Sequence, residues 1–284
     1  MTPLKIPFMK MNGCGNDFIV VDNRQGIMDE FDLSRFVQRV CARGISLGAD
    51  GFMMLEHSDR ADFKMRYFNA DGSEGEMCGN GARCLSRFAH AVGAAKDTMW
   101  FETLAGFYHA RIQPESQLVS VSYPDVVLNE LKLNQSYPTD GPSALYHYGW
   151  VGVPHTVWFV DRLAAISDRQ IIDWGRHIRY DKTHFPQGTN VNFVEVLDAH
   201  TLQIRTYERG VEAETYACGS GSTAAAVIAG MLGLVEAGSP VSVHTRGGIL
   251  QISYQLADGL AQEVIMEGNA KIVASGELLP DAWL

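Results

Sequence analysis

The sequence predicts an α/β (α+β) protein of two pseudo-symmetric domains. Each is expected to be a barrel-like sheet wrapped around a central helix, with the functional site in the cleft between them. Three observations predict this. A cysteine motif, Cys78-Gly79-Asn80-Gly81, returns as Cys218-Gly219-Ser220-Gly221, 140 residues later in a chain of 284. The run from Ala224 to Val235 after the second motif is apolar on every side, as a helix buried all round would be. Short strand-like runs flank both motifs. A repeat of this length is domain-sized, so the chain reads as a duplication.

The correspondence extends beyond the cysteines. Ala89 pairs with Ala229 and Gly93 with Gly233 at the same offset. Arg66-Tyr67-Phe68-Asn69 faces Arg205-Thr206-Tyr207-Glu208, and Asn16 through Asp22 faces His155 through Asp161, both at an offset of 139. The expected domains are residues 1–125 with 274–284, and residues 126–273.

In chain order, Gly13-Cys14-Gly15 is a turn that leads into a strand at Phe18–Asp22. Asp32 or Ser34 caps a helix whose Phe36, Val37 and Val40 share one face. Strands follow at Phe52–Leu55 and Asp62–Phe68, then the first cysteine helix, then strands at Met99–Glu102 and Leu118–Val121. The proline- and polar-rich stretch from Tyr123 to Ser143 reads as the crossing between halves. The pattern then restarts with a strand at Trp158–Val160, a helix at Asp168–Arg179 and strands at Val191–Val194 and Leu202–Arg205. After the second cysteine helix come strands at Ser242–Thr245 and Val264–Glu267 and a closing run from Ile272 to Leu278.

Composition narrows the partners. A formal charge of −10 and a pI near 5.3 argue against nucleic acid or an anionic membrane as the main partner. The first seven residues lack the apolar core of a signal peptide, and the apolar run at Ala224–Val235 is well short of the ~20 residues a membrane span needs. Five cysteines without Cys-x-x-Cys spacing fit neither a disulfide framework nor a zinc site, which points to reduced thiols in the cytoplasm. Cys14, Cys41 and Cys84 read as small apolar fillers.

Cys78 and Cys218 read differently, because each precedes glycines and a helix. Unpaired backbone N–H groups and the helix dipole at such a tip favour a thiolate and an incoming carboxylate. Two such thiols on opposite faces of one carbon suffice to invert it: one abstracts a proton and the other donates one. No electron-sink cofactor is then required, and no dinucleotide fingerprint is present, because Gly13-Cys14-Gly15 precedes its strand.

Four stretches carry a family likeness. Met11-Asn12-Gly13-Cys14-Gly15-Asn16-Asp17-Phe18, Phe68-Asn69-Ala70-Asp71-Gly72-Ser73, Met77-Cys78-Gly79-Asn80-Gly81-Ala82-Arg83-Cys84 and Tyr207-Glu208-Arg209-Gly210 through Cys218-Gly219-Ser220-Gly221 resemble diaminopimelate epimerases. The resemblance implies a cofactor-independent isomerase of lysine and peptidoglycan precursor synthesis that interconverts LL- and meso-diaminopimelate. By position it implies Cys78 and Cys218 as the acid/base thiols. Gly79, Asn80, Gly219 and Ser220 would cradle the α-carboxylate, and His155 and Glu208 would hold the amino group. Asn16, Asn69, Asn190 and Arg209 would bind the rest of the substrate, with no metal. The implied partner is a small amino acid, and a homodimer stays open. Val153 falls where the family has a binding Asn, and Gly51 where it often has Gln. A racemase of another amino acid on the same scaffold is therefore the alternative.

Overall fold

A computed structural model describes residues 4–138 and 142–284. Met1 to Pro3, within the stretch read for a signal peptide, and residues 139–141, within the expected crossing, lie outside the described residues. The chain divides into two compact units, Met1–Val121 with Gly268–Leu284, and Ser122–Glu267.

In the first unit, strands Ile6–Gly13 and Asn16–Asp22 form a hairpin. Its turn is made by Cys14 and Gly15, both at positive φ. Helix α1 (Leu33–Val40) carries the chain to Gly51–Glu56, parallel to Asn16–Asp22 with Phe18 opposite Gly51. The cap is Asp32, whose carboxylate accepts from the Arg35 N–H at 3.2 Å. Phe36, Val37 and Val40 are buried as their spacing predicts. Strand Phe63–Asn69 runs antiparallel to Gly51–Glu56, and helix α2 (Gly79–Ala91) then leads to Thr98–Thr103, parallel to Phe63–Asn69. Gly106–Ile112 and Leu118–Ser122 complete the meander. Lys271–Leu278 returns from the far end of the sequence to pair with the outer edge of Ile6–Gly13.

The second unit repeats this path. Leu145–Val151 and Val153–Phe159 form the hairpin, and helix α3 (Asp168–Tyr180) crosses to Asn190–Asp198, parallel to Val153–Phe159. A capping box closes the start of α3, Ser167 and Gln170 each satisfying the other's backbone N–H. Thr201–Glu208 follows antiparallel, and helix α4 (Gly219–Met231) crosses to Val241–Thr245, parallel to it. Gly248–Ala257 and Leu260–Asn269 finish the repeat. The polar stretch read as a bare crossing contains a strand, Lys132–Ser136, which pairs with Leu145–Val151. It plays in this unit the part that Lys271–Leu278 plays in the first. Its alternation of polar residues hid it, because an edge strand needs no apolar face.

Among the described residues each unit therefore has two α-helices, at the positions the sequence predicts. The outer helices α1 and α3 are amphipathic, whereas α2 and α4 are central. At least six strands of the first unit pack on α2 and at least six of the second on α4, so the strands of each unit curl about its helix. In α4 every residue from Gly221 to Ala229 is buried. The apolar run extends past the helix, which stops at Met231 because Gly233 takes φ 69°. Ion pairs repeat too. Arg66 forks onto Glu74 at 2.7 and 3.0 Å, and Arg205 onto Glu214 at 2.6 Å through both Nε and an Nη. Each fork ties a core strand to the short strand just ahead of a cysteine.

Candidate active site

Both cysteines stand where their helices begin. Cys78 is the N-cap of α2 (φ −135°, ψ 118°) and Cys218 the N-cap of α4 (φ −118°, ψ 112°). Their carbonyls accept the first intrahelical bonds, from Ala82 N at 2.7 Å and Ser222 N at 2.9 Å. Neither thiol caps its helix, so each backbone keeps the N–H groups of its first turn directed outward. Gly79, Asn80, Gly219 and Ser220 supply those groups. A side chain at Gly221 would force a shift, since a Cβ there would lie 2.3 Å from Asn192 Oδ1. One on Gly81 would lie 2.9 Å from Met53 Sδ.

In the first unit, the Cys78 thiol donates to Asn16 Oδ1 at 3.8 Å, and Asn16 Nδ2 donates to Asp50 Oδ2 at 2.8 Å. Asn80 is turned inward, its Oδ1 accepting from Arg83 at 2.7 Å. Arg83 is fully buried and also reaches the carbonyl of Asn269 at 3.4 Å. Asn69 ends its strand bonded to the Tyr67 hydroxyl at 2.7 Å and to Ser73 at 3.0 Å. Gly51 has no room for a larger residue: a Cβ would meet the Tyr67 ring and the Phe68 carbonyl, each at 2.8 Å.

In the second unit the Cys218 sulfur lies 3.6 Å from Ser220 Oγ, and Ser220 Oγ lies 2.9 Å from His155 Nε2. His155 is fully buried, and burial, with Arg209 adding its charge, pushes it down to about 3. It is a neutral imidazole at any ordinary pH. Asn192 Nδ2 approaches its Nδ1 at 3.2 Å and donates to the Thr156 carbonyl at 2.8 Å, while Thr206 donates to Asn192 Oδ1 at 2.9 Å. Asn190 Oδ1 accepts from the Arg209 N–H at 2.7 Å, and the Arg209 guanidinium donates to the Gln187 carbonyl at 3.1 Å. Glu208 ends its strand opposite Ala213 and is half-buried.

Cys78, Gly79, Asn80 and Asn16 are thus gathered at the tip of α2. Cys218, Gly219, Ser220 and His155 are gathered at the tip of α4, with Asn190 and Arg209 bonded to each other. Sequence reasoning passed over Asn192, Thr206 and Arg83. Asn192 left a trace: a polar residue two positions after Asn190 in a run otherwise apolar shares that residue's face of the strand. The remaining thiols are packing. Cys14, Cys41 and Cys84 are buried, and burial pushes Cys41 and Cys84 up to about 12. Among the described residues, no group of three or more His, Cys, Asp or Glu could hold a metal ion, and no helix is long and apolar enough to cross a membrane.

The chain is 42% identical to a diaminopimelate epimerase of Archaeoglobus fulgidus, with 97% of each chain covered. It is 39% identical to one of Aquifex aeolicus, covering 95% of this chain and 97% of that one. Among solved structures, a Bacillus anthracis phenazine biosynthesis protein of the PhzF family superposes with a TM-score of 0.71 at 16% identity, covering 97% of this chain and 99% of that one. A hydroxyproline epimerase from Agrobacterium vitis does so at 0.72 and 14%, covering 98% and 93%. At those identities they share the fold alone. The diaminopimelate epimerase family model matches residues 8–128 and 148–273, so both cysteine helices lie inside it. The chain belongs to the diaminopimelate epimerase family.

Proposed function

We propose that this protein interconverts LL- and meso-diaminopimelate in the cytoplasm, without a cofactor, by proton transfer between Cys78 and Cys218. The observation that carries this reading is the duplicated helix tip. Each unit presents one thiol as the N-cap of a buried helix, with glycine-lined backbone N–H groups beside it. In this reading one thiol acts on each face of the α-carbon. One thiolate takes the α-proton while the other thiol delivers a proton to the opposite face. The α-carboxylate sits among the N–H groups of Gly79, Asn80, Gly219 and Ser220, where two helix dipoles stabilise the charge that flows into it. Neutral His155 and Glu208 hold the α-amino group. Asn16, Asn69, Asn190 and Arg209 engage the distal end, with the Arg209 fork on the distal carboxylate.

A racemase of another amino acid is the second reading, favoured by Val153, whose apolar side chain offers a distal group no hydrogen bond. One assay separates the two. In D2O, LL-diaminopimelate should gain deuterium at its α-carbon while meso product forms. Exchange into another amino acid of the panel, with none into diaminopimelate, would establish the second reading instead.

A further inference from the structure

The two units place the same backbone under the two thiols but not the same side chains. Three equivalent pairs differ: Asn16 and His155, Asn80 and Ser220, Met53 and Asn192. Beneath Gly81 lies the apolar Met53, and beneath Gly221 lies Asn192. A directed chain of hydrogen bonds therefore exists in the second unit.

Its direction can be read from one end. The Asn192 amide group is oriented by the Thr156 carbonyl, which can only accept, so Nδ2 is the nitrogen there. That same nitrogen faces His155 Nδ1, which must then accept. Neutral imidazole carries one proton, so it sits on Nε2 and is donated to Ser220 Oγ. The Ser220 hydroxyl proton is left to point at the Cys218 sulfur. In the first unit the sense is opposite. Asp50, a carboxylate acceptor, takes Asn16 Nδ2, which turns Oδ1 toward Cys78. An amide oxygen only accepts, so the Cys78 sulfur must carry a proton to bond it.

We propose that the substrate-free protein holds Cys218 as the thiolate and Cys78 as the thiol, with Asn192 and Ser220 as the positioning residues that set this polarity. The catalytic consequence rests on the epimerase reading. The α C–H bond breaks, its proton joining the Cys218 sulfur and its electron pair passing to the α-carbon and carboxylate. The Cys78 S–H bond then breaks to protonate the other face. The enzyme is left with Cys78 as thiolate, the reverse of its resting state. Protons must be exchanged with solvent before the same direction can repeat. The epimer whose α-hydrogen faces Cys218 meets the resting form, and the other meets the minor one.

The test uses no substrate, so it stands apart from the test of function. Iodoacetamide modification of each cysteine is followed against pH by peptide mass mapping. The midpoint of the Cys218 profile should lie below that of Cys78. Ser220→Ala should raise the Cys218 midpoint by about one pH unit, the scale of one hydrogen bond to a charged group, and leave the Cys78 midpoint in place. Asn192→Leu should shift it in the same direction, and Ser220→Thr, which keeps the hydroxyl, should restore it. A Cys78 midpoint below that of Cys218, or a Ser220→Ala variant that moves both midpoints or neither, would overturn the assignment. If diaminopimelate fails to exchange while these shifts appear, the function reading falls and the polarity stands.

Discussion

A thiol gains reactivity from its surroundings, and the five cysteines of this chain sort into two environments. Cys41 and Cys84 sit in the core, where burial disfavours the thiolate and pushes both up to about 12. Cys78 and Cys218 cap helices. An alkylating reagent near neutral pH should therefore inactivate the enzyme through Cys78 or Cys218 and spare Cys41 and Cys84. Full inactivation with both cap cysteines unmodified in a peptide map would contradict this. His155 makes a second residue-scale prediction. Its native value, about 3, lies below the ordinary 6.5, so the unfolded chain takes up a proton that the native one refuses. The resulting stability is complete above pH 6.5 and drains away as pH falls toward 3. Urea midpoints of the native protein should fall across that window, and those of a His155→Gln variant should fall less. Arg209 makes the third. Lysine cannot reproduce its planar fork, so Arg209→Lys should lower kcat/KM for diaminopimelate about ten-fold or more. Unchanged kinetics would favour the racemase reading.

At the scale of elements, the two cysteine helices differ in what lies under their first turn. Adding a methyl group at Gly221 presses on Asn192, which is held at both ends by Thr156 and Thr206 and cannot retreat. Adding one at Gly81 presses on the end of Met53, a flexible thioether that can swing aside. Gly221→Ala should cost about 1–3 kcal/mol and Gly81→Ala less, as thermal unfolding of the two variants would show. Equal losses would mean that Asn192 is not rigid. This is also where the sequence was most and least informative. Helix tips, glycines and apolar stripes are local signals, and α1, α3 and the cysteine helices were legible from them. The relay from Asn192 to Cys218 joins residues from two strands and a helix, and the parallel pairing of Asn190–Asp198 with Val153–Phe159 brings the strand residues together. The edge strand Lys132–Ser136 was invisible for another reason, since half-exposed polar residues resemble a linker. Arg83 gives no sequence signal of its burial, because a buried guanidinium is recognised only by its partners.

For the whole molecule, duplication is the organising fact, and the strand that closes the first unit is its most consequential detail. Lys271–Leu278 belongs to a unit whose other strands lie before residue 123, with the second unit spelled out in between. On the ribosome, Ile6–Gly13 therefore waits with one bare edge while about 150 residues are added, on the order of ten seconds at usual elongation rates. Such an edge is an invitation to pair with a stranger. The second unit has its own edge strand close by and suffers no such delay. A chain cut after Ala270 should keep the second unit folded and lose the first to aggregation, readable as protease protection of only one half. A synthetic peptide of Lys271–Leu278 added during refolding of that fragment should then rescue solubility. The strand Lys271–Leu278 would act in this way as an intramolecular chaperone for the unit it completes.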